Sequence, residues 1–76
     1  MLDYTLSNYY RLTRDGEFPA PCEDDPDRVL EFGTNDIFTK DPKDGSYTVH
    51  TGIMIFGIRL PDDAVEFVDK PIRLVG

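Results

Sequence analysis

Residues 47–60, Tyr-Thr-Val-His-Thr-Gly-Ile-Met-Ile-Phe-Gly-Ile-Arg-Leu, hold the strongest apolar alternation in the chain and decide its class. In an extended backbone, Tyr47, Val49, Thr51, Ile53 and Ile55 share one face, and Met54, Phe56, Ile58 and Leu60 share the other. Apolar side chains on both faces from Ile53 to Ile58 predict a central strand covered on both sides. Gly52 and Gly57 within it predict a bulge, a bend or a close approach of backbone.

Working outward, Asp41-Pro42-Lys43-Asp44-Gly45 is a turn, and residues 37–39, Ile-Phe-Thr, are β-like. On the other side, Pro61-Asp62-Asp63 breaks the chain. Residues 64–68 read either as a strand or as a two-turn helix capped by an Asp, and residues 72–75 as a last strand behind Pro71. Near the N-terminus, Leu2, Tyr4 and Leu6 alternate with Asp3, Thr5 and Ser7 as in a half-buried strand. Residues 9–14 read as a second strand or its continuation, with a helix over 2–14 as the weaker alternative. Asp15-Gly16 is a strong turn signal, and the return strand begun by Glu17 and Phe18 meets Pro19 and Pro21. Residues 19–27 are a polar, proline-rich loop. With Asp25 as N-cap, Pro26 as first helical residue and Gly33 as stop, a short helix is expected over 26–32, a strand from Arg28 to Phe32 being the other reading. The expected fold is therefore α+β but mostly β: one domain over 1–76, with an antiparallel sheet of four or five strands, open or curled into a partial barrel, and one or two short helices.

At 76 residues the chain buries only about 60% of its unfolded surface. That leaves little room for a deep cleft. Hydrophobic residues make up 39% and charged residues 30%, which places the chain with globular rather than disordered sequences. Cys22 is the single cysteine, whereas small secreted domains usually carry several, so a reducing compartment, the cytoplasm, is expected. Met1-Leu2-Asp3-Tyr4 lacks the basic and apolar regions of a signal peptide, and the stretch from Ile53 to Ile58 is far too short to span a bilayer.

The net charge of −7 is unevenly placed. Residues 1–14 hold one acid and two bases, residues 15–44 ten acids and three bases, and residues 45–76 four acids and three bases. An excess of acids in the middle segment opposes direct binding to nucleic acid, which needs clustered Lys and Arg, and favours a basic protein surface.

Residues with catalytic potential lack supporting patterns. His50 sits alone in the strongest strand and reads as a sheet histidine. Cys22 is followed by four acids within five positions, which oppose thiolate formation, and it reads as a loop residue. One Cys and one His cannot close a structural zinc site. Glu23-Asp24-Asp25-Pro26-Asp27 lacks the glycine of a calcium loop, and counting back from Gly45 puts Lys40 and Pro42 at ligand positions, so no metal is expected. No glycine-rich phosphate loop, nucleophile elbow or zincin motif is present, so neither a cofactor nor catalysis is expected. The length and the ending Ile72-Arg73-Leu74-Val75-Gly76 invite comparison with ubiquitin-like modifiers, but there is no terminal diglycine and no long amphipathic helix after the first hairpin.

The positive signal is the interleaving of acids with aromatics across the middle of the chain. The expected function is that of a small acidic inhibitor occupying a basic, nucleic-acid-binding surface of a partner, such as a nucleic-acid-processing complex. Glu23, Asp24, Asp25, Asp27, Glu31 and Asp36 would carry the contacts. This is the biochemical logic of virus-encoded anti-defence proteins, anti-CRISPR inhibitors among them, an analogy of size and charge. An ordinary solvated acidic face is the plainer reading. The alternative function is an assembly or connector module that binds through a sheet edge or forms a homo-oligomer, suggested by the apolar run 53–60.

Overall fold

The structure is a computed structural model, and it describes residues 3–75. Leu2, the first apolar position of the expected N-terminal strand, lies outside the described residues. The strands are β1 (Asp3–Leu6), β2 (Tyr9–Leu12), β3 (Gly16–Pro19), β4 (Val29–Phe32), β5 (Ile37–Lys40), β6 (Tyr47–Val49), β7 (Ile55–Ile58), β8 (Val65–Val68) and β9 (Ile72–Val75). Five of them form one sheet in the order β7-β6-β5-β2-β8, β3 pairs with β4, and β1 pairs with β9. Every pairing is antiparallel.

Register explains the core. Phe67, Tyr10, Phe38, Val49 and Ile55 occupy successive cross-strand positions on one face of the sheet. Tyr10 meets Tyr47 and Phe67 edge-on, with ring centroids 5.3 and 5.2 Å away. The hairpin β3–β4 closes over this face, where Phe32 meets Phe38 edge-to-face at 5.5 Å. Phe18, Phe32, Phe38, Tyr47, Val49, Ile58 and Leu60 form one buried cluster. Each edge-on aromatic pair adds roughly 0.5–1.5 kcal/mol to the burial of its rings.

Two irregularities bend the strands. Between the pairs Val49↔Ile55 and Tyr47↔Ile58, two residues of β7 face one of β6, and Gly57 takes φ +74° in that bulge. Between Tyr9↔Val68 and Leu6↔Ile72, Ser7 and Asn8 face Asp69, Lys70 and Pro71. Asn8 adopts φ +62° there, so the β2–β8 pair runs on into the β1–β9 ribbon across a kink.

The antiparallel sheet expected with four or five strands is present with five, but the one or two short helices expected are not. The only helical element among the described residues is a 3-10 turn, Asp62–Ala64, and residues 65–68 behind it are the strand β8. Residues 26–32 are a turn followed by the strand β4. Asp followed by Pro also opens a β-turn, closed here by the Arg28 amide on the Asp25 carbonyl, and that reading wins because Val29, Leu30 and Phe32 gain a paired strand. Asp15-Gly16 is no hairpin turn: β2 pairs with β5 and β8, while β3 pairs with β4. Residues 47–60 are two strands joined by a loop, and β7 lies at the sheet edge rather than its centre. Ile53, Met54 and Phe56 are exposed instead of doubly covered.

Phe38 is wholly buried in the middle strand and joins hairpin to sheet. Phe38→Ala is expected to cost about 3–5 kcal/mol. A domain this small has a total stability of roughly 4–11 kcal/mol. The variant should therefore unfold at far lower urea concentration, while the surface change Glu66→Gln should leave the midpoint nearly unmoved.

Candidate functional site

The hairpin β3–β4 has two unlike faces, as period-two alternation requires. Phe18, Leu30 and Phe32 turn towards the core, while Glu17, Val29 and Glu31 are exposed. Glu17 stands directly opposite Glu31. Side chains in that relation lie about 4.5–5.5 Å apart at Cβ, and like charges there repel.

Residues 15–36 contain eight carboxylates and one cation, Arg28, which by itself equals the chain's net charge of −7; the remaining residues hold seven acids and seven bases. Arg28 is engaged internally. Its Nε donates to the Ala20 carbonyl at 2.7 Å, and the Ala20 amide donates to the Arg28 carbonyl at 2.8 Å.

Two successive turns build the tip. Cys22 and Asp25 exchange backbone hydrogen bonds of 3.1 Å, which places Glu23 and Asp24 at the outer corner. The Arg28 amide donates to the Asp25 carbonyl at 3.2 Å, which places Pro26 and Asp27 at the next corner. One Asp25 oxygen accepts from the Asp27 amide at 3.3 Å. The tip carboxylates are thus carried on hydrogen-bonded turns.

At the open end of the hairpin, two carboxylates serve the fold. Asp15 Oδ1 accepts from the Thr34 amide at 2.9 Å. Asp36 Oδ2 accepts from the Gly33 amide at 2.8 Å, and its Oδ1 accepts from the Thr51 hydroxyl at 2.6 Å, tying the hairpin base to the β6–β7 loop. A Cβ on Gly33 would stand 2.9 Å from Asp15 Oδ1, so this position has no room for a side chain without displacing the clamp. Asp15, Glu31, Gly33 and Asp36 line an open concavity of about 510 Å³ beside Phe32.

Of the six acids expected to make contacts, Glu23, Asp24, Asp25, Asp27 and Glu31 are exposed on this one hairpin. Asp36 is half-buried with both oxygens engaged. Glu17, outside those six, joins the exposed set. Its alternation with the buried Phe18 is the sequence signal that assigns it to the outer face.

His50 and Cys22 have separate partners. His50 Nε2 shares a hydrogen bond of 2.8 Å with the Thr39 hydroxyl, and its Nδ1 is buried without a partner among the described residues. Cys22 Sγ donates to the Asp25 carbonyl at 3.7 Å. Among the described residues no three His, Cys, Asp or Glu side chains are grouped to hold a metal ion. Among the described residues no helix is long and apolar enough to cross a membrane.

Burial lowers the His50 pKa from its ordinary 6.5, because the imidazolium would lose solvation. The unfolded chain therefore takes up this proton first as pH falls. The stability contributed by neutral His50 is complete above pH 6.5 and is lost as pH falls through the lower folded-state value. The Asp44 carboxyl is held below its ordinary 3.8 chiefly by hydrogen bonds from the Ser46 amide and hydroxyl, so its contribution disappears in a separate, more acidic window. Urea midpoints measured between pH 7 and pH 5 should fall for the parent protein and stay level for His50→Gln, which retains a partner for Thr39. Equal slopes in both would show that His50 titrates alike in the folded and unfolded chain.

No protein-family model matches the chain, and neither a curated protein nor a solved structure matches it.

Proposed function

We propose that this chain is a non-catalytic binding protein that docks its β3–β4 hairpin, as an acidic finger, on a basic surface of a partner protein. The observation that carries the reading is the confinement of the whole net charge to residues 15–36, the hairpin and its base, whose one cation, Arg28, is half-buried and bonded to the Ala20 carbonyl. Clustered carboxylates on an ordered support make the local potential strongly negative and steer encounter with a cationic surface. Glu17 opposite Glu31 supports the same reading, since a like-charge cross-strand pair weakens the free hairpin and is relieved by a cation from outside. A partner surface rich in Lys and Arg is the surface that nucleic acid would occupy, so docking there excludes nucleic acid and makes the protein an inhibitor in the manner of anti-CRISPR and other virus-encoded anti-defence proteins. Such a partner places the protein in a cytoplasm, that of the host if the source is viral.

A second reading is an assembly module. It rests on the exposed apolar edge strand β7. Light scattering on the eluting protein separates the two: a concentration-independent oligomer favours assembly, and a monomer favours the acidic finger.

The test is affinity capture from nuclease-treated host lysate at low and moderate salt, followed by competition with nucleic acid on the purified catch. Glu23→Lys, Asp24→Lys and Asp27→Lys together should weaken binding about 100-fold and flatten its salt dependence. Asp36→Asn should lower Tm and leave the salt dependence of the remaining folded protein unchanged. If the triple variant binds the partner as the parent does, with the same response to salt, the hairpin does not make the contact.

A further inference from the structure

Beside the acidic hairpin lies an uncharged, exposed strand edge. Six large apolar residues are exposed among the described residues, and three of them, Ile53 at 83%, Met54 at 44% and Phe56 at 67%, fall within four positions. β7 is the end strand of the five-stranded sheet, with β6 as its only strand neighbour. Its C-terminal end is partly covered from the hairpin: the Arg59 amide donates to the Pro19 carbonyl at 2.8 Å, and the Pro21 carbonyl lies 3.8 Å from where a Gly57 Cβ would stand. Ile55 and Phe56, the first half of β7, lie before that cover, and Ile53 and Met54 precede them in the loop from β6. The edge and the hairpin thus approach one another at Gly57 and Pro21, with Phe56 next to the first in the chain and Glu23 two residues beyond the second.

Resting on the acidic-finger reading, we propose that the partner's contacting element is an extended, Lys- or Arg-bearing segment with alternating apolar residues, which adds as a strand along the open first half of β7, Ile55 and Phe56, and runs on past the exposed Met54 and Ile53. Its backbone completes the ladder, and its apolar side chains cover Phe56 and Met54. Its cations face the hairpin carboxylates, which lie on the side where the strand would run out. A second copy of the chain fits less well. Residues 47–58 contain no charged residue, so a second β7 brings nothing to set against the carboxylates and adds another hairpin of the same sign.

The test is a titration of the isotope-labelled full chain, followed by amide chemical shifts, with three synthetic peptides. One alternates Lys and Val, one alternates Glu and Val, and one is the Lys–Val peptide N-methylated at every second residue. The Lys–Val peptide should shift the amides of 53–56 together with those of the hairpin. N-methylation, and separately the exposed change Phe56→Lys, should each weaken it about tenfold or more. Shifts confined to the hairpin and indifferent to N-methylation would overturn strand addition and leave the acidic finger standing. Equal binding of the Glu–Val and Lys–Val peptides at β7 would remove the cationic partner and the acidic-finger reading with it. A dimer of the free protein that Phe56→Lys turns into a monomer would assign the edge to a second copy and overturn the inference.

Discussion

The edge-to-face contact between Phe32 and Phe38, with Phe18 buried alongside, holds the most charged part of the chain onto its core. Without it residues 15–36, which carry a net charge of −7, would be held to the sheet mainly by a few hydrogen bonds such as Thr51 to Asp36 and Arg59 to Pro19. The magnitudes show why it stays. Burial of each Phe ring contributes roughly 1.5–3 kcal/mol. Two carboxylates about 5 Å apart in water repel by about 0.8 kcal/mol, and salt screens the more distant ones over about 8 Å. Apolar anchoring therefore exceeds the repulsion on the outer face. The carboxylates at the hairpin base, exposed Asp15 and half-buried Asp36, accept hydrogen bonds from backbone amides and the Thr51 hydroxyl, which offsets their share of the repulsion.

That arrangement separates two tasks along one short element. Period-two alternation sends Phe18, Leu30 and Phe32 inward and Glu17 and Glu31 outward, so the packing that fixes the hairpin also aims its charge. The tip adds Glu23, Asp24 and Asp27 on turns whose backbone groups bond to one another. The rest of the molecule holds as many bases as acids, and two of its cations stand beside the hairpin base, Arg14 over the Phe18 ring and Arg59, whose amide bonds the Pro19 carbonyl.

Much of this was legible in the sequence and some was not, for identifiable reasons. Strands read at 2–7, 9–14, 37–39 and 72–75 correspond to β1, β2, β5 and β9, the alternation over 47–60 to β6 and β7 with a loop between them, and the turn at 41–45 follows from its Pro, Asp and Gly. The Asp25-Pro26 signal was ambiguous because an N-cap and a β-turn use the same residues, and only the pairing of β4 with β3 decides between them. Asp15-Gly16 misled because a turn signal does not say which strands pair. Asp36 looked like its acidic neighbours, and its inward role depends on Gly33 and on Thr51, fifteen residues away. The two-faced apolar pattern of 53–58 implied cover on both sides, whereas Gly57 bends the strand at the edge and leaves Phe56 outside.

The two edges of the sheet bear on how the molecule meets others. On β8, Glu66 lies across from Arg11, and Pro71 follows soon after the strand, devices that discourage pairing with another chain. β7 carries no charge and no proline; its protection is the Gly57 bulge and the Pro19–Pro21 segment, and both act on its second half. A protein that needed only solubility would gain from a lysine at Ile53 or Phe56, where the side chain is exposed and the core would not feel the change. Apolar side chains kept there, next to an ordered cluster of carboxylates, make a surface whose complement is both apolar and cationic, a combination that water and simple salts do not supply.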